Sequence, residues 1–346
     1  MRVLAALSGG VDSSVAAALL LDAGHEVVAV TMKLWGGAQD SGCCSVGDVE
    51  DARRVAQQLD IPHHVFNFAD DFDRHVVSPY VDAHAAGRTP NPCIECNRHI
   101  KFDRLLVRAR QLGFDALATG HHARRTVDAD GAVRLRRGVD RAKDQSYVLF
   151  ALSQADLRDV LFPIGDLTKA EVRLKAAGLG LRTAAKSESQ DTCFITADAG
   201  RRAFLEDRID LHAGRLVDPS GATLGTVAAV ELITVGQRKG LGGGAGERRY
   251  AVAVDVAAAT VTVGSTDDLR TDGVRLEGAT WVSGQAPPPG TAVVVQMSAH
   301  GQPVAASWDG STVQFVAPER RPAPGQAVVL YDGVDADEVL GGGTAA

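Results

Sequence analysis

The segment ALSGGVDSS, residues 6–14, connects a short apolar run to a stretch with helical periodicity, and this junction decides the fold of the first half of the chain. Residues 3–7 predict a β-strand, residues 13–23 predict an α-helix, and residues 26–32 predict a second strand. The two glycines supply the tight turn between the first strand and the helix. This order of strand, turn, helix and strand is typical of parallel sheets that carry helices on both faces.

The same alternation of strands and helices continues along the chain. Thr168 is a suitable N-cap for a helix that ends at Gly178, because Glu171 follows the cap three residues later. The fold class is therefore predicted to be α/β, with a doubly wound parallel sheet. The other predicted elements are helices near residues 48–59 and 99–112 and strands at residues 63–68 and 116–119.

After about residue 206 the sequence changes character. Short β-branched runs are broken by Gly, Pro and Asp, and no helical period remains. Asp309-Gly310, between two such runs, indicates a β-hairpin. We therefore predict two small β-barrel-like domains after the α/β domain. The predicted domains cover residues 1–205, 206–268 and 269–346.

The composition is that of a folded protein, with 45% apolar and 23% charged residues in a chain of 346. The apolar run at the N-terminus is too short for a signal peptide, and no apolar stretch approaches the roughly 20 residues of a membrane-spanning helix. We therefore expect a cytoplasmic protein without membrane contact, in which cysteines stay reduced. The net charge is -7, but residues 88–110 contain six Lys or Arg and residues 124–143 contain seven. These basic runs fit either local phosphate binding or solvated surface.

The glycine turn has the features of a phosphate-binding loop. Gly9 and Gly10 let the backbone approach an anion, and Ser8 and Ser13 add hydroxyl groups at the predicted N-terminus of a helix. The segment lacks both the Gly-Lys-Ser/Thr of a Walker A loop and the G-x-G-x-x-G of dinucleotide-binding folds. The string SGG-x-DS instead resembles the PP-loop of ATP pyrophosphatases. That resemblance implies ATP as the cofactor and places Asp12 near pyrophosphate and Mg²⁺.

The cysteines are the second group of candidate functional residues. There are five, an odd number, so a disulfide scaffold is disfavoured. A nucleophilic cysteine needs a thiolate stabilised by a helix N-terminus or by nearby cations. In the string NPCIECN, Cys96 meets this requirement if Asn97 caps the following helix, because Arg98 and Lys101 lie beside it.

Other roles remain open for these thiols. Cys193, in the string SQDTCFI, follows Lys186 and could exchange a disulfide with Cys96 or carry a persulfide. The alternatives are a thioredoxin-type pair of Cys93 and Cys96, a zinc site on Cys43, Cys44, Cys93 and Cys96, and an iron–sulfur cluster on Cys93, Cys96 and Cys193.

Several strings occur in one order along the chain: LSGGVDSSVAA, GRTPNPCIECNRHIKF, ATGHHAR, KDQSYVL, FPIGDLTKAEVR, SESQDTCFI and VGQRKGLG. Together they resemble the tRNA-specific 2-thiouridylase family, whose members make the 2-thio group on the wobble uridine of certain tRNAs. The C-terminal module matches mainly through PGQAVVLYDG. The resemblance implies adenylation of the uracil C2 oxygen by ATP and sulfur transfer from a cysteine persulfide. It also implies tRNA and a sulfur donor, either a cysteine desulfurase or a sulfur-relay protein, as partners.

The resemblance implies roles for individual residues as well. Cys96 would be the catalytic nucleophile and Cys193 would carry the persulfide. ATP would be bound by Ala6, Leu7, Ser8, Gly9, Gly10, Val11, Asp12, Ser13, Met32 and Gly120, and tRNA would be contacted by Asn91, Pro92, Cys93, His121, Lys143, Asp144, Gln145, Ser298, Ala299 and Gln326.

The chain departs from the family pattern at two of these places. Many members carry Asp where this chain has Cys93, so Cys93 either replaces that carboxylate as a weak acid or supplies a cluster ligand. An Arg/Tyr-rich tRNA contact of the family is replaced here by Ser298-Ala299-His300. Two other functions stay open: an amidotransferase-type ATP pyrophosphatase acting on a small carbonyl substrate, and a non-catalytic, nucleotide-regulated RNA-binding protein.

Overall fold

A computed structural model describes residues 1–34, 46–129, 131–187, 192–195, 200–241 and 249–346. Its first half alternates strands and helices, as predicted, and none of the described helices combines the length and apolarity needed to cross a bilayer. The strands of this half are β1 (Arg2–Ala6), β2 (Glu26–Lys33), β3 (His63–Asn67), β4 (Ala116–Ala118), β5 (Ala123–Val127), β6 (Val133–Arg137) and β7 (Val160–Leu161). The helices are α1 (Val11–Asp22), α2 (Val46–Gln58), α3 (Ala69–Phe72), α4 (Ser78–Ala85), α5 (Pro92–Glu95), α6 (Leu106–Gln111), α7 (Gln154–Arg158), α8 (Lys169–Gly178) and α9 (Gly200–Glu206), with π-helical segments at Asp73–Val77 and Cys96–Leu105.

Five of these strands form one parallel sheet in the order β3-β2-β1-β4-β7, which confirms the doubly wound α/β prediction. β1 lies at the centre, where Val3 pairs with Val27 on one side and with Ala116 on the other. The strand order reverses between β1 and β4. Because the connections leave on opposite faces there, a crevice opens outside the carboxyl ends of the strands.

Both faces of the sheet are covered, so β1 is apolar on both sides. Val3 and Ala5 point into a cluster that includes side chains of α1, α2 and α8, whereas Leu4 points into a cluster that includes α6. All three side chains are at most 3% exposed. The helices therefore cover the faces of the sheet, and the carboxyl edge is left for ligands.

The helix that carries NPCIECN begins earlier than the sequence analysis placed it. Asn91 is its N-cap and accepts a hydrogen bond from the backbone N–H of Cys93 at 3.0 Å. Pro92 fixes the first helical residue and has no N–H that needs a partner. The helix then runs through the π-helical segment into α6. The expectation that Asn97 is the cap was therefore wrong: Asn97 lies inside the helix and donates to the carbonyl of Val148 at 3.1 Å.

The second half of the chain is built from strands, as predicted. The Asp309-Gly310 hairpin is confirmed, since it joins two neighbouring antiparallel strands. The division of the chain at residues 205 and 268 stays a prediction. A four-stranded sheet has the order β10-β11-β8-β9, with β8 (Gly214–Val217), β9 (Thr223–Val227), β10 (Tyr250–Asp255) and β11 (Thr260–Gly264); a closed barrel has the order β12-β15-β14-β13-β16-β17, with β12 (Arg270–Trp281), β13 (Thr291–Gln296), β14 (Val304–Trp308), β15 (Thr312–Arg320), β16 (Ala327–Asp332) and β17 (Val339–Ala345).

The basic run at residues 124–143 contains the β5-β6 hairpin and contacts the barrel. Asp337, which is 7% exposed, accepts hydrogen bonds from Arg124 at 2.6 and 2.9 Å, from Arg136 at 3.3 Å and from Arg141 at 2.9 Å. These guanidinium groups come from the α/β half, whereas the carboxylate belongs to the turn between β16 and β17. Much of this run is therefore an interdomain contact and not a free basic surface.

We expect Asp337→Asn to lower the free energy of unfolding by about 2–4 kcal/mol, because the amide leaves three guanidinium groups around a buried position. The arginine side chains keep 23%, 26% and 52% exposure, so solvent screening favours the lower part of that range. Urea unfolding monitored by tryptophan fluorescence measures the change, because Trp281 and Trp308 pack together in the barrel.

The matched control is Asp267→Asn, since the Asp267 side chain is 90% exposed and pairs with Arg270 at 3.5 Å. We expect that variant to change stability by less than about 0.5 kcal/mol. Equal losses in the two variants would show that Asp337 contributes no more than a surface charge.

Candidate active site at the carboxyl edge of the sheet

A cavity of about 350 Å³ opens at the carboxyl ends of β1, β2 and β4, where the strand order predicts a ligand site. It brings together residues from the glycine loop, from the helix that begins at Pro92 and from the described segment around Cys193. The residues singled out in the sequence that line it are Ala6, Leu7, Ser8, Gly10, Asp12, Ser13, Met32, Pro92, Cys93, Cys96, Gly120, His121, Gln145 and Cys193. The remaining candidates among the described residues lie outside its lining: Gly9, Val11, Asn91, Lys143, Asp144, Ser298, Ala299 and Gln326.

The glycine loop is clamped between two parts of the backbone. Gly9 has φ +71°, and a Cβ there would clash with the carbonyl oxygen of Asp48. On the other side, a Cβ on Gly120 would lie 2.5 Å from the backbone nitrogen of Ser13. Gly10 caps α1, and the backbone N–H of Ser8 donates to Oγ of Ser13 at 3.1 Å. The N-terminus of α1 is thereby held at the cavity wall, where its free N–H groups favour an anion.

We expect Gly120→Ala to weaken ATP binding and to lower the free energy of unfolding by about 1–3 kcal/mol, since the added methyl group must displace the first turn of α1. Isothermal titration with ATP and thermal unfolding measure the two effects. Gly178→Ala is the control, because a Cβ at Gly178 meets nothing within 4 Å. That helical substitution should be neutral or stabilising. Unchanged ATP affinity in Gly120→Ala would contradict a close fit between Gly120 and the nucleotide loop.

Two residues that the sequence analysis missed hold Asp12. Nζ of Lys169 donates to the Asp12 carboxylate at 2.7 and 2.9 Å, and Nε2 of His122 lies 3.2 Å from Oδ1 of Asp12. Burial raises the pKa of Asp12, but the hydrogen bonds from His122 and Lys169 outweigh this effect, and the pKa lies below its usual value of 3.8. Asp12 is therefore ionised at the edge of the cavity. The sequence identifies Asp12 as a candidate ligand residue. Its partners could not be found in the same way, because His122 lies between β4 and β5 and Lys169 lies in α8, far from Asp12 in the chain.

His121 is neutral at the cavity wall. Burial holds the pKa of His121 well below its usual 6.5, and the neighbouring Lys101 and His122 lower it further. Its Nε2 lies 3.4 Å from Nζ of Lys101, and its Nδ1 lies 2.8 Å from Oγ1 of Thr119. Because a lysine only donates, Nε2 is the acceptor and Nδ1–H donates to the threonine. Lys101 thus brings a positive charge to the cavity from the helix that also carries Cys96.

The three described cysteines have different environments around one cavity. Cys93 is exposed at the start of its helix, Cys96 is 8% exposed, and Cys193 is half-buried. Cys96 and Cys193 belong to the same apolar cluster, which also contains Phe72 and Phe194. Cys93 lies outside that cluster. The structure therefore brings together the two cysteines that were predicted to act together, although they are distant in the chain.

The metal alternatives find little support in the described part of the chain. It contains no group of three or more His, Cys, Asp or Glu side chains placed to hold a metal ion. The three cavity cysteines, as placed, therefore do not form a ready cluster site. Cys43 and Cys44, which the zinc alternative requires, lie outside the described residues.

The sequence suggests Lys186 as a cation near Cys193, but its ammonium group binds the glycine loop and α2 instead. Its Nζ donates to Asp48 and to Asp51 at 2.7 Å each and to the carbonyl oxygen of Gly9 at 3.0 Å. Burial lowers the pKa of Lys186, but the hydrogen bonds to the two carboxylates outweigh it and raise the pKa overall. The ammonium group thus supports the glycine loop and α2.

Of the residues Lys143, Asp144 and Gln145, only Gln145 lines the cavity. Its Oε1 accepts from the backbone N–H of His122 at 2.9 Å. The Asp144 carboxylate is buried against Arg137, at 3.1 Å. The barrel residue Ala299 lines a separate groove between the barrel and the α/β half. Contacts of these residues and of Ser298 and Gln326 with tRNA stay predictions.

Family models match three consecutive parts of the chain. The model described as "tRNA methyl transferase HUP domain" matches residues 1–197, which is more than half of the chain. The models described as "tRNA methyl transferase PRC-barrel domain" and "Aminomethyltransferase beta-barrel domain" match residues 202–265 and 271–345.

Curated relatives are similar over almost the full length. The chain is 47% identical to the tRNA-specific 2-thiouridylase MnmA of Geotalea uraniireducens, covering 99% of this chain and 94% of the relative. It is 48% identical to the proteins of the same name from Chloroflexus aggregans, with 99% and 97% coverage, and from Mycolicibacterium vanbaalenii, with 99% of both chains covered.

Proposed function

The chain belongs to the tRNA-specific 2-thiouridylase family, and from this membership we propose that it catalyses ATP-dependent 2-thiolation of the wobble uridine of tRNA. The observation that carries the proposal is the shared cavity: the glycine loop, Cys96 and Cys193 line one space of about 350 Å³. A phosphate-binding loop and two thiols in one space fit an enzyme that activates a carbonyl oxygen with ATP and replaces it with sulfur.

In the first step, the C2 oxygen of uracil attacks the α-phosphorus of ATP, and pyrophosphate leaves. We propose that the N-terminus of α1 and the ammonium group of Lys169, which pairs with Asp12 on that helix, favour the negative charge of the phosphates. Mg²⁺ commonly uses one or two carboxylates together with phosphate oxygens. Asp12 is the acidic side chain among the described residues that line the cavity, and it would hold the ion there. Bound Mg²⁺ would neutralise phosphate charge.

In the second step, the terminal sulfur of a Cys193 persulfide attacks C2, and AMP leaves. The Cys96 thiolate attacks the Cys193 sulfur, so the persulfide bond breaks and its electrons stay with the transferred sulfur. The product is 2-thiouridine and a disulfide between Cys96 and Cys193. Their common apolar cluster supports this pairing. No step passes through an iron–sulfur cluster, since the described thiols do not form a ready metal site.

The substrate base must leave its stack to reach this cavity. Pro92, Cys93, His121 and Gln145 line the cavity together with the catalytic thiols, and we propose that they contact the flipped uridine. The sulfur donor is proposed to be a cysteine desulfurase or a sulfur-relay protein, and the site of action to be the cytoplasm.

The test is a thiolation assay with the full chain, ATP, Mg²⁺, unmodified tRNA, and cysteine with a cysteine desulfurase. We expect 2-thiouridine, measured by mass spectrometry of digested tRNA, to accumulate in equal amounts with AMP and only when tRNA is present. AMP formation that does not need tRNA would instead favour a different ATP pyrophosphatase. ATP-dependent tRNA binding without AMP release would favour a non-catalytic RNA-binding protein.

A further inference from the structure

Cys93 and Cys96 lie on one helix but differ in their access to solvent. Cys93 is exposed and follows Pro92 in the first turn, where its backbone N–H donates to the side chain of Asn91. Cys96 is 8% exposed and points into the apolar cluster behind the cavity. A large protein reductant can therefore reach the first thiol far more easily than the second.

Helix geometry holds the Cα atoms of Cys93 and Cys96 close together. Residues three apart on a helix have Cα atoms separated by about 5 Å, which lies within the range found for disulfides. The helix begins at Pro92 and continues through Cys96 without a break, so this spacing is maintained by the backbone. A cysteine in the first turn also gains thiolate character from the helix N-terminus. The backbone separation therefore permits a disulfide between Cys93 and Cys96.

The proposed reaction leaves an oxidised bond in a poorly accessible place. A disulfide between Cys96 and Cys193 would be formed inside the cluster that contains Phe72 and Phe194. Thiol–disulfide exchange requires direct access of the attacking thiolate to one of the two sulfur atoms. Cys96 is only 8% exposed, so its sulfur atom is poorly accessible to the active site of a protein dithiol, whereas a small reductant can enter the cavity.

We propose that Cys93 is the resolving cysteine of this site, a role that rests on the proposed function. Its thiolate attacks Sγ of Cys96; the Cys93–Cys96 bond forms, the Cys96–Cys193 bond breaks, and Cys193 leaves as a thiolate. The exchange needs no oxidant or reductant. It moves the disulfide to the protein surface, where a dithiol reductant reopens it with two electrons. Cys193 is meanwhile free to accept the next sulfur atom.

Disulfide mapping after one turnover tests this inference. Persulfide-loaded full-length protein is given ATP and tRNA without reductant, free thiols are blocked with N-ethylmaleimide, and peptides are analysed by mass spectrometry. We expect a Cys93–Cys96 disulfide and an alkylated Cys193. A persistent Cys96–Cys193 disulfide with an alkylated Cys93, in a sample whose tRNA contains 2-thiouridine, would overturn the resolving role. Absence of 2-thiouridine would instead count against the proposed function.

A second arm is independent of tRNA. The reduced protein is oxidised with one equivalent of diamide and mapped in the same way. We expect the Cys93–Cys96 disulfide to predominate, because the helix keeps the two Cα atoms within the separation found for disulfides. Predominance of a Cys96–Cys193 disulfide would overturn the inference whether or not the protein thiolates tRNA.

Two variants distinguish thiol–disulfide exchange by Cys93 from a role of Cys93 as a weak acid. We expect Cys93→Ser and Cys93→Asp both to lower the ratio of the steady-state rate to the single-turnover rate by about tenfold or more when a protein dithiol is the reductant. Tris(2-carboxyethyl)phosphine, which is small enough to enter the cavity, should restore the ratio. A ratio in Cys93→Asp equal to that of the unsubstituted protein would show that a carboxylate suffices, and would overturn the proposal.

Discussion

Cys96→Ser and Cys193→Ser are each expected to abolish the formation of 2-thiouridine, with a loss of single-turnover rate on the order of 10³-fold or more. A serine hydroxyl can form neither a persulfide nor a disulfide, and Cys93, the third described thiol of the cavity, lies outside the apolar cluster that contains Cys96 and Cys193. Mass spectrometry of digested tRNA after a single turnover measures the loss.

The two variants should fail at different points. Cys193→Ser is expected to lose the persulfide itself, whereas Cys96→Ser should still accept sulfur on Cys193 and then fail to release it to the base. Both should still release pyrophosphate from ATP in the presence of tRNA, because neither thiol takes part in adenylation. Cys43→Ser serves as the control, because Cys43 has no role in the proposed mechanism. Full activity of either Cys96→Ser or Cys193→Ser would remove that cysteine from the mechanism.

Lys169→Met is expected to reduce tRNA-dependent AMP formation by about 10²–10³-fold. The substitution removes the positive charge that lies 2.7 Å from the Asp12 carboxylate at the edge of the phosphate-binding loop. Phosphate groups arriving there would then meet an ionised carboxylate without its cation. Release of radiolabelled pyrophosphate at saturating and at low ATP concentrations separates an effect on turnover from an effect on binding.

Lys175→Met provides the matched control, since Lys175 lies on the same helix with its side chain exposed. Thermal unfolding must accompany the assay, because Lys169 is only 9% exposed and its loss leaves a partly buried Asp12. A folded Lys169→Met variant with normal AMP formation would confine Lys169 to a structural role.

The sheet and the nucleotide loop could be predicted because their signals are local. Residues 3–7 and 26–32 are short apolar runs, and SGGVDSS carries both the turn and the helix start within a few positions. The same holds for the Thr168 cap, where the Glu171 side chain accepts from the backbone N–H of Thr168 at 2.7 Å. Such features depend on neighbours in the chain and need no tertiary contact.

The parts that escaped prediction depend on tertiary packing. The Lys169–Asp12 pair joins residues 157 positions apart, and no local pattern marks it. The helix cap at Asn91 was missed because Asn97 offers the same side chain nearer to the expected helix. The basic run at residues 124–143 was open to two interpretations because its carboxylate partner, Asp337, lies in the barrel. Charge counted along a chain does not show which charges are already paired.

The pairing of these arginines has a consequence for the substrate. A polyanion gains much of its affinity for protein by releasing condensed counter-ions when free cations replace them. In the described parts of the two basic runs, the arginines that already face a carboxylate are Arg88, Arg98, Arg104, Arg110, Arg124, Arg134, Arg136, Arg137 and Arg141. To bind a phosphate, each of these arginines would have to leave its carboxylate. It therefore contributes less to counter-ion release than an unpaired arginine does. We therefore expect the affinity of these two runs for RNA to fall less steeply with salt concentration than a count of their Lys and Arg residues predicts.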